Sequence, residues 1–131
     1  MITLLTDHDI EGHAELLWGA VAATGWLELF SAQLVRFADV GLPQNSTDRS
    51  VWRFAQSQQM ILITNNRNLE DQDSLEQTLR EENTPDALPV ITIGKIDRLT
   101  DRAYRSACVE RLLELLIYLD DYRGVGRIYI P

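Results

Sequence analysis

A three-layer α/β/α domain, built on a central mostly parallel sheet of about five strands, is the fold that this sequence predicts. Three observations predict it. Short apolar runs recur with near-continuous rather than alternating hydrophobicity, the pattern of strands buried on both faces. Segments with apolar residues three and four apart lie between them, so strands and helices alternate. The chain has 131 residues, enough for one ordinary core and too few for two, so one domain spanning 1–131 is expected.

Ile2 to Thr6 reads as the first strand and ends at Asp7. Asp9 has the chemistry to cap a following helix, whose inner face is Ala14, Leu17, Trp18, Val21 and Ala22, with Gly25 as its stop. Trp26 to Phe30 suits either a short helical turn or an edge strand. Leu34-Val35-Arg36-Phe37 reads as the second strand, entering a loop over Asp39 to Pro43 that Gly41 and Pro43 punctuate. Ser46 or Thr47 caps the next helix, with Asp48 in or beside its first turn and Val51, Trp52 and Ala55 facing inward.

Met60 to Thr64 is the strongest strand signal, and it runs into the amide cluster Asn65, Asn66 and Asn68. An acidic loop, Leu69 to Asp73, precedes Ser74 and Gln77, which have capping-box spacing ahead of a short helix bearing Leu75 and Leu79. The segment Glu81 to Pro85 ends that helix. Pro89 to Gly94 reads as the fourth strand with proline at its edge. From about Leu99 to Asp120 runs the longest helix, in which Leu112, Leu113, Leu116, Ile117 and Leu119 form a widening stripe suited to deep burial or a subunit contact. Gly124 and Gly126 separate it from a closing strand, Arg127 to Ile130. Each strand-helix-strand crossover is expected to be right-handed.

Composition narrows the function classes. An apolar fraction of 45% against 24% charged residues is that of a globular chain, so disorder is expected only locally. A net charge of −8 opposes long-range attraction to RNA, DNA or an anionic membrane, although bound cations reverse such a potential locally. No basic leader precedes the first strand and no apolar run approaches a membrane span, so a soluble, cytoplasmic protein is expected. The one cysteine, Cys108, permits no internal disulfide and lies among apolar helical residues, where burial is the expected role.

Ligands of open α/β sheets bind beyond the carboxyl ends of the strands, and here those ends carry Asp7 and the Thr64-Asn65-Asn66 turn. Asp7, Asp48 and Asn66 can therefore share one cleft. Phosphodiester hydrolysis assisted by Mg²⁺ or Mn²⁺ needs oxygen ligands, which Asp7 and Asp48 supply with charge and Asn66 and Asn68 supply as neutral carbonyls. Each residue also has a plainer role. Asp7, Asp9 and Asp48 suit helix caps, and Asn65, Asn66 and Asn68 suit turns. Asp71 and Asp73 are placed to replace missing charge, or simply to face solvent. His8 and His13 lack the spacing of a helical metal pair, and no nucleophile elbow or phosphate loop occurs. Arg36, Arg49, Arg53, Arg67, Arg98 and Arg102 are the cationic candidates for a polynucleotide backbone, Arg67 being the best placed.

The ordered set Leu5-Thr6-Asp7, Gly41-Leu42, Ser46-Thr47-Asp48 and Ile61-Leu62-Ile63-Thr64-Asn65-Asn66-Arg67-Asn68-Leu69 resembles the PIN-like nuclease superfamily, specifically its small VapC-like branch carried as a domain of unknown function. The resemblance covers roughly the first half of the chain. Family members end the last segment in T-N-D-x-D-F, and their four aspartates bind divalent metal for RNA cleavage. Carried over, the resemblance implies Asp7 and Asp48 as metal ligands and catalytic positions, with Asn66 and Asn68 standing where two aspartates are expected and Leu69 where phenylalanine is. It further implies Thr64, Asn65 and Arg67 as substrate contacts. Loss of two carboxylates implies weak or absent catalysis. The alternative is a non-enzymatic interaction or regulatory module, a homodimer through the final helix or a contact through Trp26.

Overall fold

The computed structural model describes residues 1–65 and 72–131. Five strands form one sheet: β1 (Ile2–Thr6), β2 (Ala32–Val35), β3 (Met60–Thr64), β4 (Val90–Ile93) and β5 (Arg127–Ile130). Their order is β2-β1-β3-β4-β5, and every neighbouring pair is parallel. The helices between them are α1 (Glu11–Ala23), the single turn α2 (Phe37–Val40), α3 (Asp48–Ser57), α4 (Leu75–Glu82) and α5 (Arg102–Ile117). Among the described residues no helix is long and apolar enough to cross a membrane.

Alternation along the strands divides the core in two, because successive side chains leave a strand on opposite faces. Leu4, Ile61, Ile63, Ile91 and Ile93 pack with α1 and α5, through Ala14, Leu17, Val21, Leu112 and Leu115. Leu5, Leu62 and Val90 pack on the other face with Phe37, Val51, Trp52, Ala55, Leu75 and Leu79. A parallel sheet covered on both sides must be apolar on both, which is why its strands read as continuous runs. The expected three-layer architecture is present, and the sheet is parallel throughout.

Several boundaries differ from expectation. β2 ends at Val35 because Arg36 and Phe37 turn into α2, where the Arg36 N–H donates to Asp39 Oδ2 at 2.9 Å. Asp9 caps nothing: a 3₁₀ turn, His8–Ile10, leads into α1, and Ile10 occupies the cap position. The long helix is shorter than 99–120, since Asp101 caps α5 by accepting the Ala103 N–H at 2.9 Å. Separate 3₁₀ turns, Ile96–Thr100 and Leu119–Tyr122, flank it. Of the two readings for Trp26 to Phe30, the short helical turn is the one found, a 3₁₀ turn over Trp26–Glu28. The leucine stripe resolves toward burial: Leu112, Leu113, Leu115 and Leu116 are in the core, whereas Ile117 remains 44% exposed.

Gly124 holds the approach to β5. Its φ of +83° is a conformation that side-chain-bearing residues rarely adopt, and a Cβ there would meet the Pro85 carbonyl oxygen at 2.7 Å. Gly124→Ala is expected to destabilise the fold by about 1–3 kcal/mol. Gly126 also has a positive φ, +85°, but its nearest contact for a Cβ is at an ordinary 3.8 Å. Thermal unfolding should therefore rank Gly124→Ala below Gly126→Ala, and equal melting temperatures would contradict this packing.

Candidate functional site

The chain leaves β1 toward β2 on one side and later returns to β3 on the other, so β1 and β3 flank a switch in strand order and the segments leaving them turn to opposite faces of the sheet. Such switch points leave a crevice that neighbouring loops do not fill. A cavity of about 400 Å³ lies here, lined by Asp7, His8 and Asp9 after β1, Asn65 after β3, Gln44 and Ser46 ahead of α3, Asp48 on α3 and Leu75 on α4.

Asp7 is held by several hydrogen bonds, among them one from the Ile10 N–H to its carbonyl at 3.2 Å. Its backbone N–H continues the ladder to the Ile63 carbonyl at 2.9 Å. The Thr64 hydroxyl donates to Asp7 Oδ2 at 2.7 Å, and the Thr6 hydroxyl donates to the Asp7 carbonyl at 3.0 Å. Burial pushes the Asp7 carboxyl above its ordinary value, partly offset by the Thr64 hydrogen bond, with the charges of Asp9 and Asp48 raising it further and the His8 N–H lowering it. Asp48 opens α3 behind Thr47, whose side-chain oxygen caps the helix by accepting the Ser50 N–H at 3.1 Å. Asp48 Oδ2 in turn accepts the N–H of Leu75, first residue of α4, at 3.1 Å.

Asp7, Asp48 and Asn65 thus line the same cleft although they come from distant parts of the chain. Thr64 does not line it. It is fully buried, and its hydroxyl donates to Asp7. Asn66, Arg67, Asn68 and Asp71 lie outside the described residues. Asp73 is committed to Arg49, with Arg49 Nε donating to it at 3.0 Å. Gln44, Ser46 and Leu75 carry no local sequence signal; tertiary packing alone brings them to the cleft. His8 is there too, its Nδ1 3.2 Å from Glu11 Oε1 and its ring 6.0 Å from that of Phe37.

The cationic candidates are largely spent on ion pairs. Arg36 lies 3.5 Å from Asp39 and 3.8 Å from Glu15, Arg53 lies 2.7 Å from Glu82, and Arg98 lies 3.6 Å from Asp101. Arg49 meets Asp73, Glu81 and Glu82 together. Paired guanidiniums contribute less net positive potential than free ones. Cys108 is buried, which pushes its thiol up to about 11 and leaves it unreactive near neutrality.

A divalent ion of the Mg²⁺ class wants near-octahedral oxygen ligation, usually keeping several waters and binding the protein through one or two carboxylates. Among the described residues no group of three or more His, Cys, Asp or Glu side chains is placed to hold a metal. Asp7 and Asp48 also each accept from an internal donor, a buried hydroxyl and a backbone N–H. Of the described cleft residues, Asp7 and Asp48 are the predicted ligands that would hold such an ion, and each keeps further carboxylate lone pairs for it. Compared with models of known protein families, with curated proteins and with solved structures, the chain matches none.

Proposed function

We propose that this is a PIN-like protein related to divalent-metal-dependent ribonucleases in which catalysis is weak or lost. The observation that carries the proposal is the meeting of Asp7 and Asp48 in one cleft at the strand-order switch, on an α/β frame of the kind the motif order implies. The parallel sheet supports the kinship only at the level of fold, since fold and activity separate readily.

Loss of catalysis has a physical basis in the donor set. Where a nuclease of this kind needs clustered carboxylates, Asn66 and Asn68 contribute neutral amides to the sequence. The two carboxylates that remain each accept a hydrogen bond from within the fold, Asp7 from the Thr64 hydroxyl and Asp48 from the Leu75 N–H at the start of α4. Fewer like charges need to be held together, so the apo cleft carries less repulsion. The acidic chain and its paired arginines also oppose RNA capture.

Isothermal titration with Mn²⁺ is the direct test, and it is expected to give weak saturable binding that Asp7→Ala abolishes. Identical absence of binding in both proteins would sink the metal part of the proposal. An RNA-cleavage assay in Mn²⁺ should show little turnover for the natural sequence and more for Asn66→Asp. No gain in that variant, alone or with Asn68→Asp, would remove charge loss as the cause of inactivity.

A further inference from the structure

The first turn of α3 grips α4 with two consecutive side chains. Asp48 accepts the Leu75 N–H at 3.1 Å, at the head of α4. Arg49 reaches both ends of the same helix. Its Nη2 donates to the Gln72 carbonyl at 2.9 Å and its Nε to Asp73 at 3.0 Å, in the turn before α4. Its Nη1 and Nη2 also donate to Glu82 and Glu81, at 2.5 and 3.2 Å, in the last turn. The Arg49 side chain is only 13% exposed, so it is packed as well as paired. A planar guanidinium serves several fixed acceptors at once, which a single ammonium cannot do in the same geometry. Since Leu75 also lines the cleft, the position of α4 sets part of the cleft wall.

We propose that Arg49 is a positioning residue for the cleft: by holding both ends of α4 it keeps the Leu75 N–H on the Asp48 carboxylate, and so fixes how Asp48 is presented beside Asp7. This rests on reading that cleft as the functional site, and it assigns what sets the site's geometry. Arg49 acts through Asp48 and α4 and is not among the residues that line the cleft.

The test compares the natural sequence with Arg49→Ala and Arg49→Lys by amide hydrogen exchange and by the Asp48 carboxyl ¹³C resonance at one fixed pH. In Arg49→Ala the Leu75 amide should exchange at least about tenfold faster, as expected when hydrogen bonds to a charged group are lost, and the Asp48 resonance should move. The amides of Ile91 and Leu112, in the opposite part of the core, should keep their protection. Arg49→Lys should recover part of both changes because charge returns without the fork. If Leu75 and Asp48 are unaltered in Arg49→Ala, the proposal is overturned. Acceleration equal at Leu75, Ile91 and Leu112 overturns it as well, since that is general loss of stability. Should Arg49→Ala fail to fold, Glu82→Gln carries the same measurement with the same two outcomes. Neither readout uses metal or RNA, so failure of Mn²⁺ binding would remove the metal part of the proposed function and leave this assignment standing.

Discussion

Leu112→Ala is expected to lower the free energy of unfolding by about 2–5 kcal/mol, the range for truncating a buried leucine. Leu112 is fully buried at the middle of α5, in the cluster that joins that helix to Leu4, Ile61 and Ile91 of the sheet. Truncation removes transfer free energy and leaves a void that a sheet-helix interface collapses into poorly. Ile117→Ala provides the contrast, because Ile117 is 44% exposed on the same helix and its loss should stay within about 0.5 kcal/mol. Urea unfolding at constant slope measures both. Similar midpoints for the two variants would mean that α5 does not present Leu112 to the sheet.

Asp7→Asn should raise stability at neutral pH while it removes any metal affinity. Burial is the leading cause that lifts the Asp7 carboxyl above its ordinary value of 3.8. Between 3.8 and that raised value the native state holds more protons than the unfolded state. Stability therefore falls as pH climbs through this interval and stays lower above it. An asparagine carries no charge to desolvate, and its carbonyl still accepts the Thr64 hydroxyl. The variant should match the natural protein in acid and melt higher near neutrality, with the gap opening as pH rises past 3.8. A natural protein more stable than Asp7→Asn at neutral pH would show that the Thr64 and His8 donors outweigh burial. Stabilisation by removing a site charge is the usual sign that a position is kept for chemistry rather than for the fold.

The parts of this architecture that local chemistry decides were legible in the residues. β1 and β3 fall at Ile2–Thr6 and Met60–Thr64, where uninterrupted apolar runs meet polar termini, and β5 falls after the Gly124 and Gly126 turn. Thr47 and Ser74 cap their helices as their hydroxyls and spacing suggest. Tertiary context decided the rest. Phe37 looked like strand because it is aromatic, yet its ring is needed under α3, and α2 delivers it there. Asp9 has the chemistry of a cap, but the tight turn after Asp7 carries it to the cleft instead. In the site, Asp7 and Asp48 could be named from their neighbours, whereas the fate of Thr64 depended on strand pleat and that of Arg49 on a helix placed later in the chain.

The all-parallel order also dictates how the chain must be threaded during assembly. β1 lies between β2 and β3, and the hydrogen bond from Thr64 to Asp7 closes a span of 57 residues. No hairpin can nucleate such a sheet, because each neighbouring pair is joined only after an intervening segment has been gathered in. The cleft can form only once β3 has docked beside β1, so refolding is expected to be slow for a chain of this length, which stopped-flow fluorescence would measure.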